Sequence, residues 1–130
     1  MPDKAALYRA AYRVLKPGGR IAFLDLAEKG GRVEPSRWEQ TWGSYHPESL
    51  EGYTALLQAA GFRQVEHWDT SKLAARESFR FLNRLIKRKE QVVEAAGPEA
   101  YLVSLETWAE ILAEIELVQV IHCCFVACKP

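Results

Sequence analysis

Apolar residues recur along this chain first at helical spacing, then as short unbroken runs, and the two patterns alternate to its end. Leu7, Ala11, Val14 and Leu15 share one face of a first helix, with Asp3 placed to cap its N-terminus. Pro17 stops that helix, because it lacks an amide donor and its ring disfavours helical geometry at Lys16. Gly18 and Gly19 then supply a turn. Ile21 to Leu24 follows as a continuous apolar run, which predicts a strand covered on both faces. A second helix carries Leu50, Tyr53, Leu56, Leu57 and Ala60 on one face, capped by Ser49 and terminated at Gly61. Phe62 to Trp68 reads as a second strand, with Val65 central and polar neighbours that place it near an edge.

Ser71 to Ala96 is expected to be helical, with Phe79, Leu82, Leu85, Ile86, Val92 and Val93 as its apolar stripe. Gly97-Pro98 breaks it, and Pro98 suits the first turn of the next helix, which carries Tyr101, Leu102, Leu105, Trp108, Leu112 and Ile115. Val118 to Cys128 is rich in β-branched and other apolar residues and predicts a third strand. Between the first strand and the second helix, Ala27 to about Glu48 is a loop punctuated by Gly30-Gly31 and Pro35, with room for a short helix around Ser36 to Thr41. The chain contains no internal repeat.

Composition narrows the class. The 130 residues are 48% apolar, enough for a single domain over 1–130 with a real core. Basic and acidic side chains balance at 17 each, which disfavours a nucleic-acid or membrane-surface role. Arg80, Arg84, Lys87, Arg88 and Lys89 read as a solvated helix side paired with Glu77 and Glu90. No apolar stretch approaches a membrane span, and Met1-Pro2-Asp3-Lys4 leads into an amphipathic helix without a signal-peptide pattern. Three clustered cysteines, Cys123, Cys124 and Cys128, fit free thiols in a reducing cytoplasm better than a disulfide framework. His122-Cys123-Cys124 is a poor metal site, since neighbours on a strand point to opposite faces.

The stretch Tyr12-Arg13-Val14-Leu15-Lys16-Pro17-Gly18-Gly19-Arg20-Ile21-Ala22-Phe23-Leu24-Asp25 resembles the helix-turn-strand in the second half of class I S-adenosylmethionine-dependent methyltransferases. Leu56-Leu57-Gln58-Ala59-Ala60-Gly61-Phe62 resembles the approach to that family's sixth strand, and Phe125-Val126-Ala127-Cys128-Lys129-Pro130 is similar to the end of its seventh. The long helical insertion between those strands resembles the sarcosine/dimethylglycine type. The resemblance implies a partial Rossmann-like α/β fold: a small mixed three-stranded sheet with helices, its last strand inserted between the first two. It also implies that the cofactor-binding half is missing. The family's glycine-rich turn and its ribose-binding carboxylate have no counterpart here, so no cofactor-binding residue carries over and none is expected for the isolated chain. S-adenosylmethionine enters only if a partner half completes the fold.

The substrate side is partly present. Asp25 lies at the carboxyl end of the first strand, where open α/β sheets bind ligands. Trp38, Trp42 and Tyr45 in the following loop could offer ring faces to a cationic amine, and His46 could take a proton or orient a substrate. Packing over the sheet end is the plainer reading of these aromatics. The function that follows is a methyltransferase C-terminal half, inactive alone and needing a separate cofactor half. The alternative is a non-catalytic small-molecule-binding or self-associating descendant. A homodimer across the Arg20–Leu26 strand is the expected assembly, because that strand carries no Pro or inward Lys to protect an open edge.

Overall fold

A computed structural model describes residues 3–29, 48–116 and 120–130. Its elements are α1 (Lys4–Val14), β1 (Arg20–Glu28), α2 (Leu50–Ala59), β2 (Arg63–Asp69), α3 (Ser71–Lys87), α4 (Lys89–Ala96), α5 (Pro98–Glu116) and β3 (Val120–Cys128). The three strands form one sheet in the order β1-β3-β2, so the last strand lies between the first two as expected. Both ladders are antiparallel, which corrects the expectation of a mixed sheet. The reason is topological: β1 and β2 run the same way but never touch, because β3 separates them.

Local signals account for most element ends. Asp3 accepts from the Ala6 amide at 2.7 Å and Ser49 from the Gly52 amide at 3.0 Å, each satisfying an otherwise orphaned helix donor. At the other end of α1, Lys129 reaches back from beyond β3 and donates to the carbonyls of Tyr12 (2.7 Å) and Leu15 (2.8 Å). A cation on the final carbonyls of a helix also suits its dipole. That cap joins residues more than a hundred positions apart, and no local pattern announces it. β2 carries a bulge between Arg63 and Glu66, with Gln64 at a φ of 51°.

The expected Ser71–Ala96 helix is two helices. It breaks at Arg88, whose φ and ψ of −109° and 25° leave the helical range. Lys87, Arg88, Lys89, Glu90 and Gln91 form a run with no core-facing residue, so nothing holds the axis straight, and both halves pack on α5 instead. The stripe read from the sequence is also rotated. Phe79 and Ile86 are 59% and 56% exposed, while Ala75, Ser78 and Leu85 are buried.

The main core lies on one face of the sheet, under α1 and α2. It gathers Tyr8, Tyr53, Leu57, Phe62, Cys123, Phe125 and Ala127, with Phe23 packed against them. Phe23 and Phe125 are cross-strand partners whose rings stack at 5.1 Å, and Tyr8 and Tyr53 lie on them at 5.4 and 4.7 Å. A smaller cluster of Ala75, Ile115 and Val120 joins α3 and α5 to one end of the opposite face. Most of that face stays open: Leu24 is 62% and Trp68 50% exposed. The expectation that the Ile21–Leu24 run is covered on both faces therefore fails, because α1 and α2 both pack on the same side.

Gly61 ends α2 at a φ of 107°, and a Cβ there would lie 2.8 Å from the Tyr12 ring. Gly18 has a φ of 79° but open space around it. Gly61→Ala should therefore cost about 2 kcal/mol or more, and Gly18→Ala only about 1 kcal/mol, in urea-unfolding midpoints.

Candidate functional site

Strand alternation sends Phe23 and Asp25 of β1 to the face under α1 and α2, and Leu24 and Leu26 to the open face. Asp25 is thus the polar residue at the carboxyl end of an aromatic row. Its carboxylate accepts from the Tyr53 hydroxyl at 2.6 Å, from Lys4 Nζ at 3.1 Å and from the Leu26 amide at 2.8 Å. Lys4 also bonds the Tyr53 hydroxyl and lies 4.4 Å over the Tyr53 ring. The Lys4 side chain is only 11% exposed, so the pair is largely withdrawn from water. Burial, with the negative charges of Asp25 and Glu48 added, pushes the Tyr8 hydroxyl well above the usual phenol range and keeps it neutral. Asp25 therefore clamps α1 and α2 to the end of β1. Trp38, Trp42, Tyr45 and His46, expected to share the site with Asp25, lie outside the described residues.

A second polar group occupies the same end of the sheet on the opposite face. The Thr70 amide and hydroxyl donate to the His122 carbonyl at 2.7 and 3.0 Å, and the His122 amide donates to Ser71 Oγ at 3.0 Å. The Thr70 hydroxyl also lies 2.8 Å from His122 Nδ1. The hydroxyl thus bridges the ring and the backbone of His122 and fixes the orientation of the imidazole. Burial lowers the His122 pKa below the usual imidazole value, against the opposing pull of Asp25 and Asp69. These bonds staple the start of α3 to β3. They also set one wall of a cavity of about 560 Å³ between α3, α5 and the open face. Sequence reading weighed His122 only as a metal ligand and missed this role, whose sole local sign is Thr70-Ser71 at a helix start.

Two tests bear on other chemistry. Among the described residues no three His, Cys, Asp or Glu side chains group as metal ligands. Cys123 is buried on the core face, and burial raises its thiol pKa, the reverse of an activated nucleophile. Also among the described residues, no helix is long and apolar enough to cross a membrane.

An α/β unit with its last strand inserted antiparallel, and with helices between the second and third strands, is the second half of a Rossmann-like class I methyltransferase domain. The chain belongs with the S-adenosylmethionine-dependent methyltransferases of that class. It is 31% identical over 101 residues, 76% of its length, to phosphoethanolamine N-methyltransferase of Triticum aestivum. It superposes with a TM-score of 0.84 and 23% identity on phosphoethanolamine N-methyltransferase 2 of Haemonchus contortus, in complex with phosphomonomethylethanolamine and S-adenosylhomocysteine. With a sarcosine dimethylglycine methyltransferase of Galdieria sulphuraria the TM-score is 0.87 at 19% identity. These matches cover 98% and 99% of this chain but 30% and 48% of those structures, and the chain spans 20% of the wheat relative. No family model matches the chain.

The described residues do not fit the methyl donor those structures imply. Asp25 is engaged by Lys4, Tyr53 and Leu26 and is not presented to a ribose diol. The positive-φ glycines Gly18, Gly61 and Gly97 sit at helix ends, none in a strand-to-helix turn where a backbone could approach a cofactor.

A group whose folded pKa is depressed stabilises the fold above its unfolded value and loses that contribution as pH falls. Stability should therefore decline as pH drops from about 6.5 toward the folded pKa of His122. His122→Gln, which keeps a polar partner for Thr70 without titrating, should flatten the urea midpoint between pH 7 and 5.

Proposed function

We propose that this chain supplies the substrate-side half of an S-adenosylmethionine-dependent methyltransferase, silent alone and completed by a separate cofactor-binding half. The observation that carries the reading is the open side of β1. Along its outer edge the Glu28 amide donates to the Glu48 carbonyl at 2.9 Å, and the Leu26 amide is taken by Asp25. Alternation then points the Ala22 and Leu24 amides outward, where no described residue meets them. Relatives that the chain matches over only a fraction of their length supply a reason for that edge: a further strand belongs beside it. The methyl acceptor would enter at the carboxyl ends of β1 and β2, with Trp38, Trp42, Tyr45 and His46 as candidate pocket residues. The wheat relative is a phosphoethanolamine methyltransferase, which supports an amine as acceptor. Free Cys123, Cys124 and Cys128 support a reducing, cytoplasmic setting.

Isothermal titration with S-adenosylmethionine at millimolar concentration should show no saturable binding to the isolated chain. Clear saturation would overturn the need for a partner half.

A second reading, self-association without catalysis, rests on the same edge together with exposed Leu24 and Trp68. A two-fold axis would pair β1 with its copy between Arg20 and Leu26. Light scattering at micromolar concentration should then report a dimer. Leu24→Lys should weaken it without loss of fold, since Leu24 is exposed whereas Phe23 is locked in the aromatic core. A stable monomer would rule this reading out.

A further inference from the structure

The cavity on the open face has the shape and chemistry of a groove for an alkyl chain. Its wall is built from Leu24 and Leu26 of β1, Leu73 and Phe81 of α3, and Trp108 and Ile111 of α5. The Phe81 and Trp108 rings lean together at 4.8 Å in the part of the wall nearer Arg84. Leu24, Leu73 and Phe81 are all exposed, so apolar surface lies bare along the groove among the described residues. On α3 the wall runs from Leu73 to Arg84, which at 1.5 Å per residue is roughly 16 Å. The volume falls within the range of small-molecule sites, about 300–1,000 Å³.

Polar groups sit at the groove's ends. The inner end lies at the carboxyl ends of β1 and β2, where open sheets bind ligands, and is lined by Thr70 and His122. His122 presents an imidazole whose Nδ1 lies 2.8 Å from the Thr70 hydroxyl. At the rim, Glu77 is already paired with Arg80 at 2.9 Å and Arg76 at 3.4 Å. Arg84 is then the one cation among the described residues that line the wall. A single exposed guanidinium is a weak holder for a phosphate dianion, which is usually met by several convergent donors.

We infer that this groove receives an amphiphilic amine, its alkyl chain lying along α3 between Leu24, Phe81 and Ile111 and its amine head at the polar inner end beside Thr70 and His122. The inference names a substrate class for the half proposed above and rests on that reading. The chain-binding step is nevertheless measurable on this chain alone.

Titration calorimetry with n-alkylamines of six to twelve carbons, below their micelle concentrations, tests it. Affinity should rise about threefold to fourfold per methylene and then level off once the chain outgrows the groove. Phosphoethanolamine, a head without a chain, should bind at least a hundredfold more weakly than decylamine. Ala74→Phe, which fills the inner groove, should weaken decylamine at least tenfold and bring the levelling to shorter chains. Phe81→Ala, which removes a ring from the wall nearer Arg84, should shift it to longer ones, an opposite movement that loss of fold cannot produce. Affinity that climbs without levelling, or that neither variant alters, would place the apolar binding on the open sheet face and overturn the groove. Phosphoethanolamine binding as tightly as the amines would overturn the substrate class. Failure of any cofactor half to restore methyl transfer, with alkyl binding intact, would sink the proposed function and leave the groove standing.

Discussion

Phe125 lies at the middle of β3, and β3 lies at the middle of the sheet. Its ring stacks on Phe23 across one ladder, approaches His67 at 6.0 Å across the other, and meets Tyr53 from α2. β1 and β2 share no hydrogen bonds of their own, so their alignment passes through this last strand and its aromatic centre. The N-terminal helix is held the same way. Tyr8 packs on Phe23, and Lys129, just past β3, caps the end of α1. A chain whose final strand is central can complete its sheet only when its C-terminus has arrived, which makes the closing contacts non-local.

The two faces of the sheet have different fates because of where the helices return. α1 and α2 precede and follow β1 and both settle on the aromatic face, so that face carries the main core. α3 and α5 reach the opposite face only at one end, through Ala75, Ile115 and Val120. Among the described residues an apolar face therefore lies open beside the outer edge of β1, and the matched relatives are several times longer than this chain. The same incomplete cover creates the groove between α3, α5 and β1.

The polar groups at the strand ends show how position decides chemistry. Asp25 and His122 stand at the same end of the sheet but on opposite faces, one register position apart on adjacent strands. Asp25 is ringed by Lys4, Tyr53 and the Leu26 amide and acts as a clamp. His122 is held through Nδ1 and its backbone by Thr70 and Ser71, and burial lowers its pKa, so it serves as a staple that also lines the groove.

Much of this was legible from the residues alone. Asp3 and Ser49 announced two helix starts, Pro17 and Gly61 two helix ends, and the apolar runs the three strands, because these signals act within a turn or two of the backbone. The resemblance of Gly18-Gly19 and of the final strand to methyltransferase segments gave the strand order. The break at Arg88 was not legible, since a helix continues or stops there according to what α5 offers its apolar face. The exposure of Phe79 and Ile86 depended likewise on how α3 rolls against β3. Asp25 was found by its place at a strand end, but its engagement with Lys4 and Tyr53 joins residues 21 and 28 positions away. What the sequence determined by itself is the set of elements and their ends, governed by local backbone chemistry. Which face each element buries, which carboxylate is already spoken for and where a groove remains were decided only when distant segments met, because burial is a property of the assembled fold.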